Sequence, residues 1–161
     1  MKAFEDDKFY NRLLAVLDTW KNVPYRHMGQ NRRGTDCTLF IACVFQELGI
    51  LTIPKIDYYP KDWFVHTKDE IVLDSYLKAG AENLRPGFAS RVFKGKSVKP
   101  FRGDVLCFSM SKTGVTNHSA IWLGTNFIHC LNRRGVCVSP YKEKVWRRAL
   151  THVFRVYKEA T

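Results

Sequence analysis

Hydrophobic spacing divides the chain into a helical first half and a β-rich second half. Apolar residues recur at helical spacing from about Phe4 to Trp20, which predicts an amphipathic helix over that range. A second helix is expected to begin at Asp36 or Cys37 and to run to Leu48. Because its interior is apolar on every side, we expect this second helix to be the buried central one.

The middle of the chain is less regular. Residues Leu51 to His66 are rich in proline and aromatic residues and lack a period, so they are interpreted as a loop insertion that could form a cleft wall. Thr67 and Glu70 have the spacing of a capping box, and a short third helix is predicted over Ile71 to Leu77. The next twenty residues are predicted to be irregular.

The residue pattern of the second half of the chain predicts a β-sheet. Five short runs have the β-branched and aromatic character of strands: Val105–Phe108, Ser119–Leu123, Phe127–Cys130, Gly135–Val138 and His152–Val156. Gly124-Thr125-Asn126 is typical of a turn between two of them. Helices first and strands second predict an α+β fold, a single domain over residues 1–161 in which an antiparallel sheet packs one face against the buried helix.

Composition and hydrophobic run lengths predict a folded protein that does not insert into a membrane. The 161 residues are 45% hydrophobic, which suffices for a core. No run approaches the roughly 18 apolar residues of a membrane span. Charges interrupt the first residues before any signal-peptide core could form. We therefore expect no membrane insertion and no signal peptide, with synthesis in the cytoplasm; any target outside a membrane would require delivery by another machine.

The formal charge of +11 indicates an anionic partner. Nucleic acid, an anionic cell-wall polymer and an acidic substrate each fit that charge, and so does a merely soluble basic surface. Basic residues concentrate in four clusters: Arg32-Arg33, Lys94 to Lys96, Arg133-Arg134 and Lys142 to Arg148. The two arginine doublets flank the candidate chemistry in sequence, so we expect both to rim a cleft.

Cys37 is the candidate nucleophile. The five cysteines are odd in number and show no CxxC pair, so they are interpreted as reduced thiols. Cys37 lies at the predicted start of the buried helix, where free backbone N–H groups favour a thiolate and offer half an oxyanion hole. Cys43, Cys107 and Cys137 have helix-interior or strand contexts that indicate packing.

His118 and His129 are the candidate base and its orienter. His129 follows His118 by eleven positions across a turn, so the two imidazoles are expected side by side on adjacent strands. A zinc site formed by Cys37, Cys130 and both histidines is disfavoured, because His129 and Cys130 project from opposite faces of a strand. No metal or other cofactor is therefore expected.

Several segments, in order, resemble the signature of the NlpC/p60 cell-wall cysteine peptidases. They are Tyr25, the Gly29 loop, Gly34-Thr35-Asp36-Cys37-Thr38, Gly103-Asp104-Val105-Leu106, Asn117 to Gly124 and Phe127-Ile128-His129. The resemblance covers about Tyr25 to Val138. It implies a papain-like plan, in which N-terminal helices include a nucleophile-bearing helix packed on a small antiparallel sheet.

The resemblance also implies roles for the site residues. Cys37 matches the nucleophile, His118 the general base and His129 the orienter. Tyr25 matches a tyrosine that helps seat substrate, and Asp36 an acid that receives a free peptide amine. Thr38 stands where many members carry a substrate-contacting serine, since Thr38-Leu39 replaces Ser-Gly. The implied reaction is hydrolysis of γ-D-glutamyl-diamino acid bonds in peptidoglycan stem peptides. Delivery to the cell wall would then be by a phage or a secretion system.

Two alternatives remain open. An acyltransferase or deamidase could use the same scaffold, although Cys37 precedes His118 here, the order that favours the peptidase. A non-catalytic basic binding protein, with nucleic acid as the less favoured ligand, would explain the charge but not the ordered pattern. Oligomeric state cannot be inferred from these residues.

Overall fold

The computed structural model describes residues 2–84 and 99–158. The helices of this part of the chain are α1 (Asp7–Trp20), α2 (Cys37–Glu47), α3 (Trp63–His66), α4 (Ile71–Lys78) and α5 (Lys144–Ala149). The strands are β1 (Gln30–Asn31), β2 (Gly34–Thr35), β3 (Glu82–Asn83), β4 (Val105–Phe108), β5 (His118–Trp122), β6 (Asn126–Leu131), β7 (Gly135–Pro140) and β8 (Leu150–Arg155). Within this part, no helix has the length and apolarity needed to cross a bilayer.

Helix α1 begins later than its pattern predicts. Asp6 is the N-cap, and its carboxylate accepts from the Phe9 N–H at 2.7 Å. Phe4 lies outside the helix and is buried against the rings of Phe9 and Phe45. The predicted start at Phe4 is therefore wrong, because that ring serves the core from the segment preceding the cap.

Helix α2 is the buried central helix, as predicted. Asp36 caps it, with one carboxylate oxygen accepting from the N–H groups of Thr38 at 3.1 Å and Leu39 at 2.8 Å. Phe40 and Val44 in its interior are completely buried. This cap fixes Cys37 as the first helical residue, and the surrounding core holds the helix in place.

The main sheet has six strands in the order β3-β8-β4-β5-β6-β7, and every adjacent pair is antiparallel. This arrangement confirms the α+β fold. All five predicted strands are present, and β3 is an additional short edge strand that lacked a sequence signal. β1 and β2 form a separate two-stranded hairpin immediately before α2.

The sheet has two buried faces. We define the α2 face as the sheet residues that share a cluster with the central helix: Val105, Cys107, Ile121, Ile128 and Cys130. We define the α5 face as those that cluster around Trp146 of the last helix: Leu106, Phe108, Ala120, Trp122 and Phe127. Alternation along each strand produces the division. The sequence predicted the first face only.

Three local predictions need correction. The capping box is wrong, since Glu70 instead accepts from the Thr116 N–H at 3.1 Å and α4 lacks a side-chain cap. Residues Leu51 to His66 are irregular as predicted, except that α3 occupies their end. Helix α5 arises within a stretch that had been interpreted only as a basic cluster. The cluster Lys94 to Lys96 lies outside the described residues.

The Gly103-Asp104 pair has a structural role. Gly103 has φ of +82°, and a Cβ there would overlap the Phe4 ring. Asp104 is buried and forms a two-pronged ion pair with Arg155, at 2.8 and 2.6 Å. This pair fastens the start of β4 to the end of β8.

Candidate active site

A cavity of about 660 Å³ opens where α2 and β5 both begin. Side chains from α2, from the central strands, from α5 and from the segment between α2 and α4 meet in its wall. Cys37 and His118, the candidate nucleophile and base, line it together. The cavity is large enough for a peptide segment.

The Cys37 thiol is half-buried and lies against the start of β5. Its Sγ is 3.9 Å from the Asn117 carbonyl oxygen, and Asn117 is the residue immediately before His118. Sγ also lies 3.8 Å from the Thr38 hydroxyl. The first turn of α2 and the first residues of β5 are therefore in direct contact at the sulfur.

The two histidines form a hydrogen-bonded chain that ends at a serine. His118 Nε2 lies 2.8 Å from His129 Nδ1, and His129 Nε2 lies 2.9 Å from Ser139 Oγ. The predicted adjacency of the imidazoles is confirmed. Because Nε2 of His118 is engaged with His129, its Nδ1 is the ring nitrogen that can exchange a proton with a nucleophile.

The imidazoles pack on the α5 face of the sheet. A base that faces the helix α2 would lie on the α2 face, so this part of the prediction is wrong. The Trp146 ring lies 5.8 Å from His118 and 5.1 Å from His129 between centroids. Phe108 and Phe127 also contact the pair. The alternation of β5 explains the difference, since Ser119 rather than His118 points toward α2.

Burial keeps both histidines and the thiol uncharged at rest. It lowers the pKa of His118 to about 4. Burial, followed by the neighbouring His118, lowers the pKa of His129 to about 3. Burial, followed by the Asp36 carboxylate, raises the pKa of Cys37 to about 11. The expected resting thiolate is therefore not favoured, and the proton must leave when the sulfur reacts.

Asp36 is more enclosed than an open amine receptor. It is only 4% exposed, and its carboxylate accepts from Thr38, Leu39 and, through the second oxygen at 3.0 Å, the Met28 N–H. Its burial raises its pKa, while these N–H groups oppose the rise. Because Asp36 engages Thr38 and Leu39, the Cys37 N–H is the remaining first-turn donor beside the sulfur.

Tyr25 and the insertion complete the wall around Asp36. Tyr25 lines the cavity, and burial, followed by the nearby Cys37, raises its pKa. Tyr59 comes from the insertion, with its carbonyl 2.8 Å from His27 Nε2 and its ring against the His27 ring. Trp63 of α3 packs edge-on to Tyr59 and lines the cavity as well. The predicted cleft wall is confirmed.

Thr38 links α2 to β5. Its hydroxyl lies 3.4 Å from Ser119 Oγ, which also accepts from the Tyr76 hydroxyl at 2.9 Å and donates to the Cys37 carbonyl at 3.4 Å. Thr38 lines the cavity. Thr38, which stands in place of serine after the cysteine, thus connects the start of α2 to β5 through its hydroxyl group.

The arginine doublets do not have the position that sequence proximity suggested. Arg32 binds the Glu47 carboxylate at 2.8 and 2.9 Å and lies over the Trp20 ring, at the far end of α2 from Cys37. The β1-β2 hairpin carries it there, so its predicted place at the cleft is wrong. Arg133 and Arg134 lie in the β6-β7 turn and are absent from the cavity wall as described.

Three site residues escaped the sequence patterns. Ser139 continues the histidine chain, but a serine at a strand end carries no signal of its own. Trp146 was hidden within a basic stretch, although a tryptophan among charges is a clue to a buried helix face. Tyr59 belonged to the insertion that was expected to wall the cleft, without being singled out.

Potential metal ligands do not gather at the site within the part of the chain that the structure describes. Over residues 2–84 and 99–158, no three His, Cys, Asp or Glu side chains cluster as metal ligands. Cys130 directs its thiol to the Thr35 carbonyl at 3.3 Å, while His129 binds Ser139, so the two adjacent residues face different ways. All five cysteines are free, as predicted.

A helix-borne cysteine beside paired histidines on an antiparallel sheet defines a papain-like class of fold. A family model described as the NlpC/P60 family matches residues 22–155, and the chain belongs to that family. The match covers all the site residues named above. The resemblance found in the sequence is thereby confirmed.

Curated relatives and solved structures agree with this assignment. A murein DD-endopeptidase MepS/murein LD-carboxypeptidase of Escherichia coli K12 is 25% identical over 147 residues, 91% of this chain. A probable endopeptidase NlpC homolog of Haemophilus influenzae is 26% identical over 145 residues, 89% of this chain. The chain spans 62% and 61% of these relatives' lengths.

Among solved structures, an NlpC/P60 family protein from Bacillus cereus has a TM-score of 0.57 at 20% identity, covering 89% of this chain and 39% of its own. An NLP/P60 family protein from Staphylococcus aureus, described as similar to lipoprotein, has a TM-score of 0.64 at 18% identity. That match covers 98% of this chain and 44% of the other. These likenesses establish the fold.

Proposed function

We propose that this protein is a cysteine peptidase that hydrolyses amide bonds in bacterial peptidoglycan stem peptides. Cys37 is the nucleophile, His118 the general base and later acid, and His129 the residue that orients His118. One observation carries the proposal: the Cys37 sulfur touches the residue before His118 in a shared cavity, and His118 is hydrogen-bonded to His129.

Family membership and the relatives' names support the substrate class. The name of the E. coli relative gives murein as its substrate. The γ-D-glutamyl-diamino acid bond is our first candidate for cleavage. That relative is named a DD-endopeptidase and LD-carboxypeptidase. The assay therefore also includes bonds between two D-centres and bonds that join an L-centre to a terminal D-residue. Asp36, Tyr25 and Thr38 are proposed to contact the bound peptide, with the buried Asp36 acting through its edge on the cavity.

Acylation is the first half of the reaction. The Cys37 sulfur attacks the scissile carbonyl carbon while its proton passes to His118 Nδ1. The carbonyl oxygen gains negative charge and accepts from the Cys37 N–H at the helix tip. The carbon–nitrogen bond then breaks, the amine takes the proton from His118, and the acyl group remains as a thioester.

Deacylation returns the enzyme to its starting state. His118 removes a proton from water as the water oxygen attacks the thioester carbon. The carbon–sulfur bond breaks, the peptide leaves with a new carboxylate, and Cys37 regains its proton from His118. His129 supports the transient imidazolium, and Ser139 in turn fixes the orientation of His129.

Digestion of purified peptidoglycan tests the proposal. Released fragments are identified by mass for the wild-type protein, Cys37→Ala and the matched control Cys43→Ala, whose thiol packs in the α2 interior. Wild type and Cys43→Ala are expected to release the same new peptide ends, and Cys37→Ala none. Full release by Cys37→Ala would refute the cysteine mechanism, and no release by wild type from any wall chemotype would refute the substrate class.

A further inference from the structure

The insertion before α3 places a lysine in the wall of the cavity. Lys61 Nζ lies 3.2 Å from Asn132 Oδ1 and 4.9 Å from the centroid of the Tyr25 ring. Both partners line the same cavity. The ammonium group is therefore held between the insertion, the β6-β7 turn and the tyrosine beside the candidate nucleophile.

No carboxylate of the described residues forms an ion pair with Lys61. Asp62, its neighbour, pairs with His66 at 2.9 Å. Asp36 is buried and engages backbone N–H groups. Among residues 2–84 and 99–158, the partners of Lys61 are a neutral amide and an aromatic face, which orient an ammonium group without neutralising it. Lys61 thus contributes a positive charge to a cavity wall that the Asp36 and Asp62 side chains also line.

We propose that Lys61 binds a free carboxylate of the substrate and makes the enzyme select stem peptides that carry a carboxylate beside the scissile amide. The inference rests on the proposed function and names a specificity residue for it. An ammonium-carboxylate pair at an aromatic-lined cavity discriminates a charged ligand from its neutral carboxamide by about tenfold. Amidation of that carboxylate removes the charge while changing little of the peptide's size.

Two carboxylates flank a γ-D-glutamyl-diamino acid bond. The glutamyl residue carries one on the acyl side, because its link runs through the side chain. The diamino acid carries one on the amine side when it ends the peptide or has a second carboxyl group. Both carboxylates can pair with Lys61 in the same way, so the choice of test substrates must distinguish which of the two Lys61 binds. Two matched pairs of soluble stem peptides suffice. In one pair the acyl-side group is a carboxylate or a carboxamide, and in the other pair the amine-side group is a carboxylate or a carboxamide.

The experiment measures kcat/KM on each pair for wild type, Lys61→Met, Lys61→Arg and the control Lys158→Met. Lys158 also places its Nζ over an aromatic ring, Phe9 at 4.7 Å, but outside the cavity wall. Affinity is measured in parallel by calorimetric titration on Cys37→Ala, alone and combined with Lys61→Met. The binding arm needs no turnover, so it separates this proposal from the proposed reaction.

Wild type is expected to prefer the carboxylate about tenfold in one pair, which identifies the side that Lys61 contacts. In Lys61→Met this preference falls toward one, while Lys61→Arg and Lys158→Met retain it. A preference that survives Lys61→Met in both kinetics and binding overturns the proposal. If no peptide is hydrolysed but binding to Cys37→Ala still loses its carboxylate preference with Lys61→Met, only the proposed reaction fails.

Discussion

The two faces of the sheet differ in what they contribute. The α2 face holds the helix that begins at Cys37 through apolar packing, with Ile41 of the helix and Ile121 of the sheet both completely buried. The α5 face encloses a polar chain of His118, His129 and Ser139 among aromatic rings. One face mainly provides stability, and the other carries the proposed proton chemistry.

The difference explains where the site lies. A nucleophile from one face and a base from the other can meet only where a strand begins, and the Asn117 carbonyl at the start of β5 touches the Cys37 sulfur. Substitutions on the two faces should therefore separate folding from chemistry. Changes on the α2 face are expected to reduce the free energy of unfolding, and changes to the histidine chain to reduce turnover.

Among substitutions that compare the two faces, the largest effect is expected from His118→Phe. Phenylalanine preserves a ring against Trp146 but cannot accept a proton, so kcat/KM should fall by about 10³-fold. The measurement is hydrolysis of a soluble stem peptide, with the melting temperature as the folding control. A folded His118→Phe protein with activity within tenfold of wild type would contradict the assignment of the base.

Ile41 of α2 belongs to the core cluster of the α2 face, and Ile41→Ala should affect stability instead. Removing a completely buried isoleucine from α2 is expected to lower the free energy of unfolding by about 3 kcal/mol, through lost burial and a cavity. The measurement is urea unfolding, with kcat determined at a temperature where the variant is folded. A large drop in kcat at unchanged stability would remove the distinction between the faces.

Acid should weaken the protein through the α5 face. Below pH 6.5 an unfolded histidine binds a proton, whereas folded His118, with a pKa of about 4, stays neutral. The contribution of neutral His118 to the free energy of unfolding is therefore fully present above pH 6.5 and is lost as the pH falls toward 4. His118 alone should contribute a loss of about 2 kcal/mol between pH 7 and pH 5. Urea unfolding at both pH values should show a smaller loss for His118→Phe, and an equal loss would contradict burial of a neutral imidazole.

The smallest effect is expected from Ser139→Ala. Ser139 is hydrogen-bonded to His129 and does not line the cavity, so kcat is expected to fall about fivefold with little change in KM. Ser139→Thr, which retains a hydroxyl, should recover most of the activity. The measurement is steady-state kinetics across pH for both variants. If KM rises while kcat is constant, Ser139 acts on binding, and its positioning role is wrong.

Much of the fold followed from local patterns. The apolar interior of α2, the Asp36 cap and the alternating strand runs are short-range signals, so the central helix and the sheet were predicted closely. Cys37, His118 and His129 could be selected as candidates because a helix start and a strand-turn-strand spacing can be inferred from neighbouring residues. Their adjacency at 2.8 Å between the imidazoles followed from the antiparallel register.

The rest depended on contacts between distant segments. Arg32 lies close to Cys37 in sequence but binds Glu47, because the β1-β2 hairpin reverses the chain. Trp146 reaches the histidines only through the second face of the sheet, which no periodicity identified. The protonation of Cys37 also escaped prediction, since burial raises its pKa while the helix start favours the thiolate.

Trapping the thioester is the most direct test of the proposal that Cys37 attacks while His118 receives its proton. Wild-type protein is mixed with a stem peptide, quenched in acid within milliseconds to seconds, and analysed by intact mass and peptide mapping. The account predicts an added acyl fragment on the peptide containing Cys37, with formation slowed about 10³-fold in His118→Phe. Rapid hydrolysis with the fragment on another residue, or equally fast acylation in His118→Phe, would contradict it.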